Sequence, residues 1–197
     1  TTAGSASTII LTDASTTDVL ATVTVAGSGD LTLTGTGSTA VTTVNAGSMT
    51  GGLTLDVSAA AAQNLTVTGG SGDDTFTIGT IVAADTVVGG AGTDALVTAA
   101  AVTAANAAGV SGIETVSIIG AGGGVSQVAS AFSVDTFVIG ANTNNNVTLT
   151  GMTDEAVSMT ATSTGTNTLT LAADTVADSG TINIGATSAG VTITAVS

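Results

Sequence analysis

The sequence predicts an all-β chain that folds as a parallel β-solenoid, a β-helix or β-roll with about 20–22 residues per coil. Short segments that alternate Leu, Val, Ile or Phe with Thr or Ser recur along the chain, and this alternation is typical of half-buried strands. Their centres lie at positions 32, 54, 77, 96, 117, 138 and 158, so the pattern returns at a nearly constant interval. Only 2% of the residues are aromatic, which suits the thin core of a stacked solenoid. An antiparallel sandwich of similar strands is the alternative.

The predicted strands are bounded by Gly, Asn, Asp or Ala. In chain order they are Leu31–Leu33, Val41–Val44, Leu53–Val57, Leu65–Val67, Phe76–Ile78, Thr86–Val88, Leu96–Val97, Thr115–Ile118, Phe137–Ile139, Val147–Leu149, Val157–Met159, Leu169–Leu171, Ile182–Ile184 and Val191–Ile193. Helix propensity predicts a short Ala-rich helical insert at 98–110, outside the coil stack. The Gly-rich segment 120–124 and the Asn-rich segment 142–146 are predicted loops. Residues 1–197 are expected to form one continuous solenoid segment of a longer chain.

Composition excludes several classes of function. The 197 residues include 43% apolar residues, enough for a core, and 14 Asp and Glu, but no Lys, Arg, His or Cys, so the net charge is −14. Nucleic-acid binding is not expected, because it depends on Lys and Arg contacts with phosphates. Thiol chemistry and zinc sites lack their usual ligands. The expected partner is a cation that prefers hard oxygen ligands, which is calcium.

No membrane span is predicted, although the mean hydropathy is +0.61. Thr, Ser, Asn and Gly interrupt every apolar run before the roughly 18 residues that a membrane helix needs. The first residues, Thr1 to Gly4, lack both an initiating Met and the basic and apolar regions of a signal peptide. An export signal is therefore expected elsewhere in a longer chain.

Two nonapeptides contain the main candidate metal ligands. Residues 69–77, GGSGDDTFT, and residues 89–97, GGAGTDALV, both fit the calcium-turn pattern G-G-x-G-x-D-x-U-x, in which U is a large apolar residue. The glycines allow a turn whose carbonyls point at an ion, and the sixth residue supplies a carboxylate. Because the two motifs start at positions 69 and 89, an offset of one coil, the turns should lie above one another. Asp74 and Asp94 can then share a calcium ion.

Other acidic residues are weaker candidates. Asp73 precedes the first motif aspartate and is either a second ligand or a solvated turn residue. Asp85 begins a strand on the opposite edge without a preceding Gly-Gly, and it is a possible ligand there. Glu114 alternates with Ile113 and is expected to be structural. The acidic residues Asp154, Glu155, Asp174 and Asp178 are further candidate ion ligands or ordinary turn residues.

A family resemblance rests on residues 44–119. The run from Ala84 to Leu96, the Ala-rich stretch after it, and the segment from Val110 to Val116, VSGIETV, resemble the RTX-type surface-layer (S-layer) proteins of Gram-negative bacteria. The upstream segment from Val44 to Leu55, VNAGSMTGGLTL, looks like a coil of the same group. The flanking residues match only in their Thr- and Ala-rich style.

The resemblance implies a right-handed, calcium-dependent solenoid that is secreted by a type I system and self-assembles into a lattice on the cell surface. The implied calcium ligands are the turn carbonyls around Gly70, Gly72, Gly90 and Gly92 and the carboxylates of Asp74 and Asp94. The implied partners are calcium ions and copies of the same chain, with cell-surface polysaccharide bound through another domain. The implied location is extracellular.

Two other functions are weighed against this structural one. The same solenoid could be the extender of a large secreted RTX adhesin or an extracellular filament. Thr-x-Thr triplets such as Thr32/Thr34 and Thr75/Thr77 could bind ice, but exposed Thr on ordinary strands is the simpler interpretation, since the triplets follow no constant period. An enzyme is not expected, because nothing marks a pair of carboxylates flanking a bond or an aromatic platform for sugar.

Overall fold

The computed structural model describes residues 6–12, 21–36, 41–59, 64–119, 125–139, 147–152, 156–159, 166–171, 182–184 and 190–195. These residues form short strands that pair in parallel, with almost no helix. The predicted parallel β-solenoid is therefore confirmed, and the antiparallel sandwich is wrong. The predicted loops at 120–124 and 142–146, and the acidic residues Asp154, Glu155, Asp174 and Asp178, lie outside the described residues.

The described strands alternate between walls of the solenoid. In chain order they are β1 (Ser7–Thr12), β2 (Thr22–Gly27), β3 (Leu31–Thr36), β4 (Thr43–Met49), β5 (Leu53–Asp56), β6 (Thr66–Thr68), β7 (Thr75–Thr77), β8 (Thr86–Val88), β9 (Ala95–Thr98), β10 (Val110–Ser111), β11 (Thr115–Ile118), β12 (Val125–Val128), β13 (Thr136–Ile139), β14 (Val147–Met152), β15 (Ala156–Met159), β16 (Thr166–Leu171), β17 (Ile182–Ile184) and β18 (Gly190–Ala195). The odd-numbered strands form one large sheet. Strands β2, β4, β6, β8 and β10 form a second sheet, and β12, β14, β16 and β18 form a third.

The strand register confirms the predicted repeat. In the large sheet, Thr54 pairs with Thr75, Thr75 with Ala95, Ala95 with Thr115, and Thr115 with Thr136. A coil in this part of the chain therefore contains about as many residues as the sequence predicts, and this repeat length is typical of solenoids. Parallel neighbours one coil apart place equivalent side chains directly above one another.

The core lies between the walls and is built from columns of equivalent apolar residues. Leu55, Phe76, Leu96, Val116 and Phe137 stack in the large sheet, and each of them is fully buried. The second sheet contributes the buried valines of its own column. Branched aliphatic side chains, together with Phe76 and Phe137, fill the space because each coil presents the same inward positions to the coil above.

The Ala-rich segment forms the short helix α1 (Ala104–Ala107), which Thr103 caps through its side-chain oxygen and the backbone N–H of Asn106. This segment does not lie outside the coil stack. Val102 and Ala107 are buried in the same core as the strands, and the buried Gln127 side chain hydrogen-bonds both the N–H and the carbonyl of Val102, at 2.7 and 2.8 Å. The segment is therefore anchored to the core by Val102 and Ala107, while its other alanines at 101, 104, 105 and 108 are exposed. A 3₁₀ turn, Ala129–Ala131, follows Val128.

No helix among the described residues is long and apolar enough to cross a membrane.

Candidate metal centre

The two nonapeptide turns lie directly above one another, as their spacing in the sequence predicts. The backbone N–H of Ala91 donates to the Gly70 carbonyl at 3.1 Å, which joins the turns. Gly90 and Gly92 have φ angles of +121° and +120°, which only glycine adopts readily. A Cβ on Gly92 would stand 2.6 Å from the Gly72 carbonyl oxygen, so the turns are packed too closely for any side chain.

The motif aspartates point into the solenoid. Asp74 and Asp94 immediately precede β7 and β9, and each is 1% exposed. Their carboxylates accept hydrogen bonds from the coil before them: Asp74 Oδ1 from the N–H of Leu53 at 2.6 Å, and Asp94 Oδ1 from the N–H of Asp74 at 2.8 Å. Each carboxylate therefore satisfies a buried backbone donor at the point where the chain enters a strand. Sequence reasoning missed this structural role.

The second oxygens of the two carboxylates differ. Asp74 Oδ2 accepts a hydrogen bond from the N–H of Gly70 at 2.7 Å. Asp94 Oδ2 is buried and has no hydrogen-bond partner among the residues that the structure describes. The turns also differ in backbone conformation, since Gly90 and Gly92 have left-handed φ angles whereas Gly70 and Gly72 do not. The second turn therefore carries a buried carboxylate oxygen that lacks a partner, which is unfavourable unless a proton or a cation binds it.

Burial is the main cause that raises the pKa of the Asp94 carboxyl from 3.8 to about 6. The negative charges of Asp74, Glu114 and Asp73 act in the same direction, against the lowering effect of the hydrogen bond from Asp74. The chain has no Lys, Arg or His, so no side-chain cation can neutralise this group. At pH 7 the carboxyl is still mostly ionised, but burial makes this charge less favourable in the folded protein than in the unfolded chain.

The weaker candidates lie in different surroundings. Asp73 is exposed, and its Oδ1 accepts the N–H of Thr93 at 2.8 Å, which links the two turns on their outer side. Asp85 is 2% exposed and precedes β8 in the second sheet. Its two oxygens accept the N–H groups of Leu65 and Val82, each at 2.8 Å, so its hydrogen bonds account for its burial.

Glu114 belongs to the same structural column as the motif aspartates. The column runs through the start of five neighbouring strands of the large sheet, in register from coil to coil, and it contains Leu53, Asp74, Asp94, Glu114 and Asp135. Glu114 Oε2 accepts the N–H of Asp94 at 2.7 Å, which repeats the bond that Asp94 makes to Asp74. The spacing from Asp94 to Glu114 equals that from Asp74 to Asp94, and this is the signal in the sequence that could have revealed the relation.

The oxygen atoms at this edge fit a hard cation. Among the residues that the structure describes, no three acidic, His or Cys side chains group as metal ligands. An ion at the stacked turns would therefore take most of its ligands from backbone carbonyls and water, beside one or two carboxylates. Calcium accepts such mixed oxygen ligands with flexible geometry, whereas magnesium requires a near-octahedral arrangement. The partnerless Asp94 Oδ2 is the atom that such an ion would satisfy.

No family model, no curated protein and no solved structure matches this chain.

Proposed function

We propose that this chain is a structural β-solenoid that binds calcium at its stacked glycine turns and folds in response to the ion. The observation that carries the proposal is Asp94 Oδ2, a buried carboxylate oxygen without a partner in a chain that has no cationic side chain. The proposed ligands are the carboxylates of Asp74 and Asp94 and the carbonyls of the turns. Those turns contain Gly70, Gly72, Gly90 and Gly92, with Asp73 and Asp85 as weaker candidates.

Calcium supplies positive charge to an edge that otherwise carries only negative charge. Without the ion, the carboxylates repel one another and the ionised form of Asp94 opposes folding. If each site has a dissociation constant near 10⁻⁴ M, millimolar calcium contributes about 1.4 kcal/mol of folding free energy per site. Several such sites would decide whether the chain folds, since typical domains are stable by only about 5–15 kcal/mol.

The proposed biological role is that of an extracellular surface-layer protein that self-assembles into a lattice on the bacterial cell surface after type I secretion. The outer face of the large sheet supports this role, because equivalent positions repeat from coil to coil. Thr32, Thr54 and Thr75 pair in register there, as do Thr115 and Thr136. A repeated flat face offers each neighbouring copy the same contacts, as lattice formation requires.

A calcium titration followed by circular dichroism and analytical ultracentrifugation tests the proposal. We expect calcium to induce β-structure and then assembly, and we expect an Asp74→Ala, Asp94→Ala double variant to need at least tenfold more calcium. Asp56→Ala is the matched control, because Asp56 lies at the end of β5 and its Oδ1 bonds only the neighbouring Ser58 in the structure.

The same titration separates the alternatives. Calcium-induced folding without assembly would replace the lattice role with that of an adhesin or filament extender. Folding and assembly that proceed equally well in chelator would contradict the calcium dependence itself. An ice-binding role would require the folded chain to shape ice crystals.

A further inference from the structure

Glu114 occupies the position of a motif aspartate although it lies outside both nonapeptides. It precedes β11 as Asp94 precedes β9, and its carboxylate accepts the N–H of Asp94 at 2.7 Å. Glu114 is partly buried, and it continues the acidic column one coil beyond the second turn. Shortly before it, Gly112 has a φ of +61°, so a glycine turn also precedes this acid.

The partnerless oxygen of Asp94 lies beside this next coil. Asp94 Oδ1 bonds the coil before it, through the N–H of Asp74. Asp94 Oδ2, in contrast, lies beside Gly89, where an added Cβ would overlap both this oxygen and the carbonyl oxygen of Gly112. A buried carboxylate oxygen and a backbone carbonyl oxygen thus lie close together. While Asp94 is ionised, both atoms carry negative partial charge and neither can donate a hydrogen bond to the other.

We propose that a calcium ion binds between the coils of Asp94 and Glu114, with Asp94 Oδ2, the Gly112 carbonyl oxygen and the Glu114 carboxylate as its protein ligands. This inference rests on the proposed calcium dependence and places the ion that binds Asp94 Oδ2 one coil past the second nonapeptide. An ion between the two nonapeptide turns would then take its ligands from the Asp74 carboxylate and the turn carbonyls. The glutamate side chain is one methylene longer than aspartate, so Glu114 can bond the N–H of Asp94 through Oε2 and place its other oxygen on the ion.

The ligand chemistry favours calcium over other cations. Two carboxylates and a carbonyl are hard oxygen donors, and two negative charges match a divalent ion. Of the three proposed ligand residues, Gly112 alone lines an open cavity of about 300 Å³, together with Ser111, Phe132 and Ser133. Water beside Gly112 can complete the coordination shell, as is common for calcium.

The alternative is that Glu114 acts only as a hydrogen-bond acceptor for Asp94. Glu114→Gln separates the two roles, since glutamine keeps a side-chain oxygen for the N–H of Asp94 but loses the charge. Asp135→Asn is the matched control, because Asp135 lies in the next coil of the same column, is exposed, and loses one charge in the same way.

The experiment counts the calcium ions bound by the full chain, by equilibrium dialysis, and measures the melting temperature in calcium and in chelator. We expect Glu114→Gln to bind one calcium ion fewer than wild type and to melt at an unchanged temperature in chelator, while Asp135→Asn binds as many as wild type. Unchanged calcium binding in Glu114→Gln, beside reduced binding in Asp94→Asn, would overturn the Glu114 site and leave the proposed function intact. Equal losses in Glu114→Gln and Asp135→Asn would overturn the site as a general charge effect. A wild-type chain that binds no calcium would overturn both proposals.

A crystal of the wild-type chain grown in calcium also tests the site, and the result does not depend on whether a variant folds. We expect an anomalous difference peak about 2.3–2.6 Å from both Asp94 Oδ2 and the Gly112 carbonyl oxygen. Peaks at the nonapeptide turns with none at this position would contradict the proposal.

Discussion

Asp85 and Asp94 are both buried, both precede a strand, and both accept a hydrogen bond from the backbone of an earlier coil. Asp85 precedes a strand of the second sheet and has a donor for each oxygen. Asp94 precedes a strand of the large sheet, after a glycine turn, and has a donor for only one oxygen. Burial alone therefore does not mark an aspartate of this solenoid as a metal ligand, because Asp85 is buried for a structural reason. A free oxygen beside a carbonyl distinguishes Asp94 from Asp85 and also from Asp74, which is proposed as a ligand although each of its oxygens already accepts an N–H group.

Gly89 should be the position at which a single methyl group has the largest effect. Gly89→Ala places a Cβ against the Gly112 carbonyl oxygen and Asp94 Oδ2. Neither atom can move away easily, because the first belongs to the backbone and the second to a buried, hydrogen-bonded side chain. We expect a loss of more than about 4 kcal/mol, or failure to fold, measured by urea unfolding in calcium. Gly35→Ala is the control, because its Cβ would meet Val57 at an ordinary 3.6 Å. Similar stabilities for the two variants would contradict the close packing of the turns.

Asp85→Ala should destabilise the chain whether or not calcium is present. The substitution leaves the buried N–H of Leu65 and the partly buried N–H of Val82 without their acceptor, and each unsatisfied group costs about 1–3 kcal/mol. We expect a loss of about 4 kcal/mol by chemical denaturation, equal in calcium and in chelator. A loss that appears only in calcium would make Asp85 a ligand and would remove the contrast with Asp94.

Asp94→Asn should have opposite effects in the two conditions. In chelator at pH 7 the variant should be more stable than wild type by up to about 3 kcal/mol, because it removes a disfavoured buried charge and keeps an acceptor for Asp74. In millimolar calcium it should lose the stabilisation that the ion gives to wild type. Thermal unfolding of the variant and of wild type in both buffers measures the two opposite effects. A variant that is less stable than wild type in chelator would contradict the prediction.

The raised pKa of the Asp94 carboxyl also determines how the stability of the calcium-free protein should depend on pH. Because the pKa of Asp94 is raised from 3.8 to about 6 on folding, its contribution to stability is fully present below pH 3.8 and is lost as pH rises through 6. Wild type in chelator should therefore be roughly 1 kcal/mol less stable at pH 7 than at pH 5. Asp94→Asn should lack this part of the pH dependence in the same denaturation series.

Asp73→Asn should have the smallest effect of the set. Asp73 is exposed, and asparagine can still accept the N–H of Thr93 through its side-chain oxygen. We expect a change in stability below about 1 kcal/mol and an unchanged calcium midpoint by circular dichroism. A tenfold higher midpoint would identify Asp73 as a ligand after all.

Much of the fold could be predicted from the sequence, because one feature determines it: inward apolar residues that recur once per coil. Phe76 and Leu96 occupy equivalent positions of the two nonapeptides, and they pair directly. The stacking of the two turns follows from the same spacing. The Thr triplets follow no constant period in the sequence, yet Thr54, Thr75 and Thr32 pair in register, because coils differ in length at their turns while their strands stay aligned.

The candidate site could be predicted only in part. The nonapeptide pattern marks Asp74 and Asp94, but it does not reveal that both carboxylates accept backbone N–H groups one coil away. Which oxygen remains free depends on the turn conformation, since Gly90 has a left-handed φ and Gly70 does not. Glu114 lies outside the nonapeptide pattern; its spacing from Asp94 hints that it continues the column, and the strand register shows it.

The dependence of the melting temperature of the wild-type chain on calcium tests most directly whether the solenoid needs the ion for its stability. At pH 7 we expect a low melting temperature in chelator, and a melting temperature that rises steadily with the logarithm of calcium concentration above about 10⁻⁴ M. The same melting temperature in chelator and in 10⁻² M calcium, about a hundredfold above that range, would show that Asp94 is accommodated without an ion and would contradict the account.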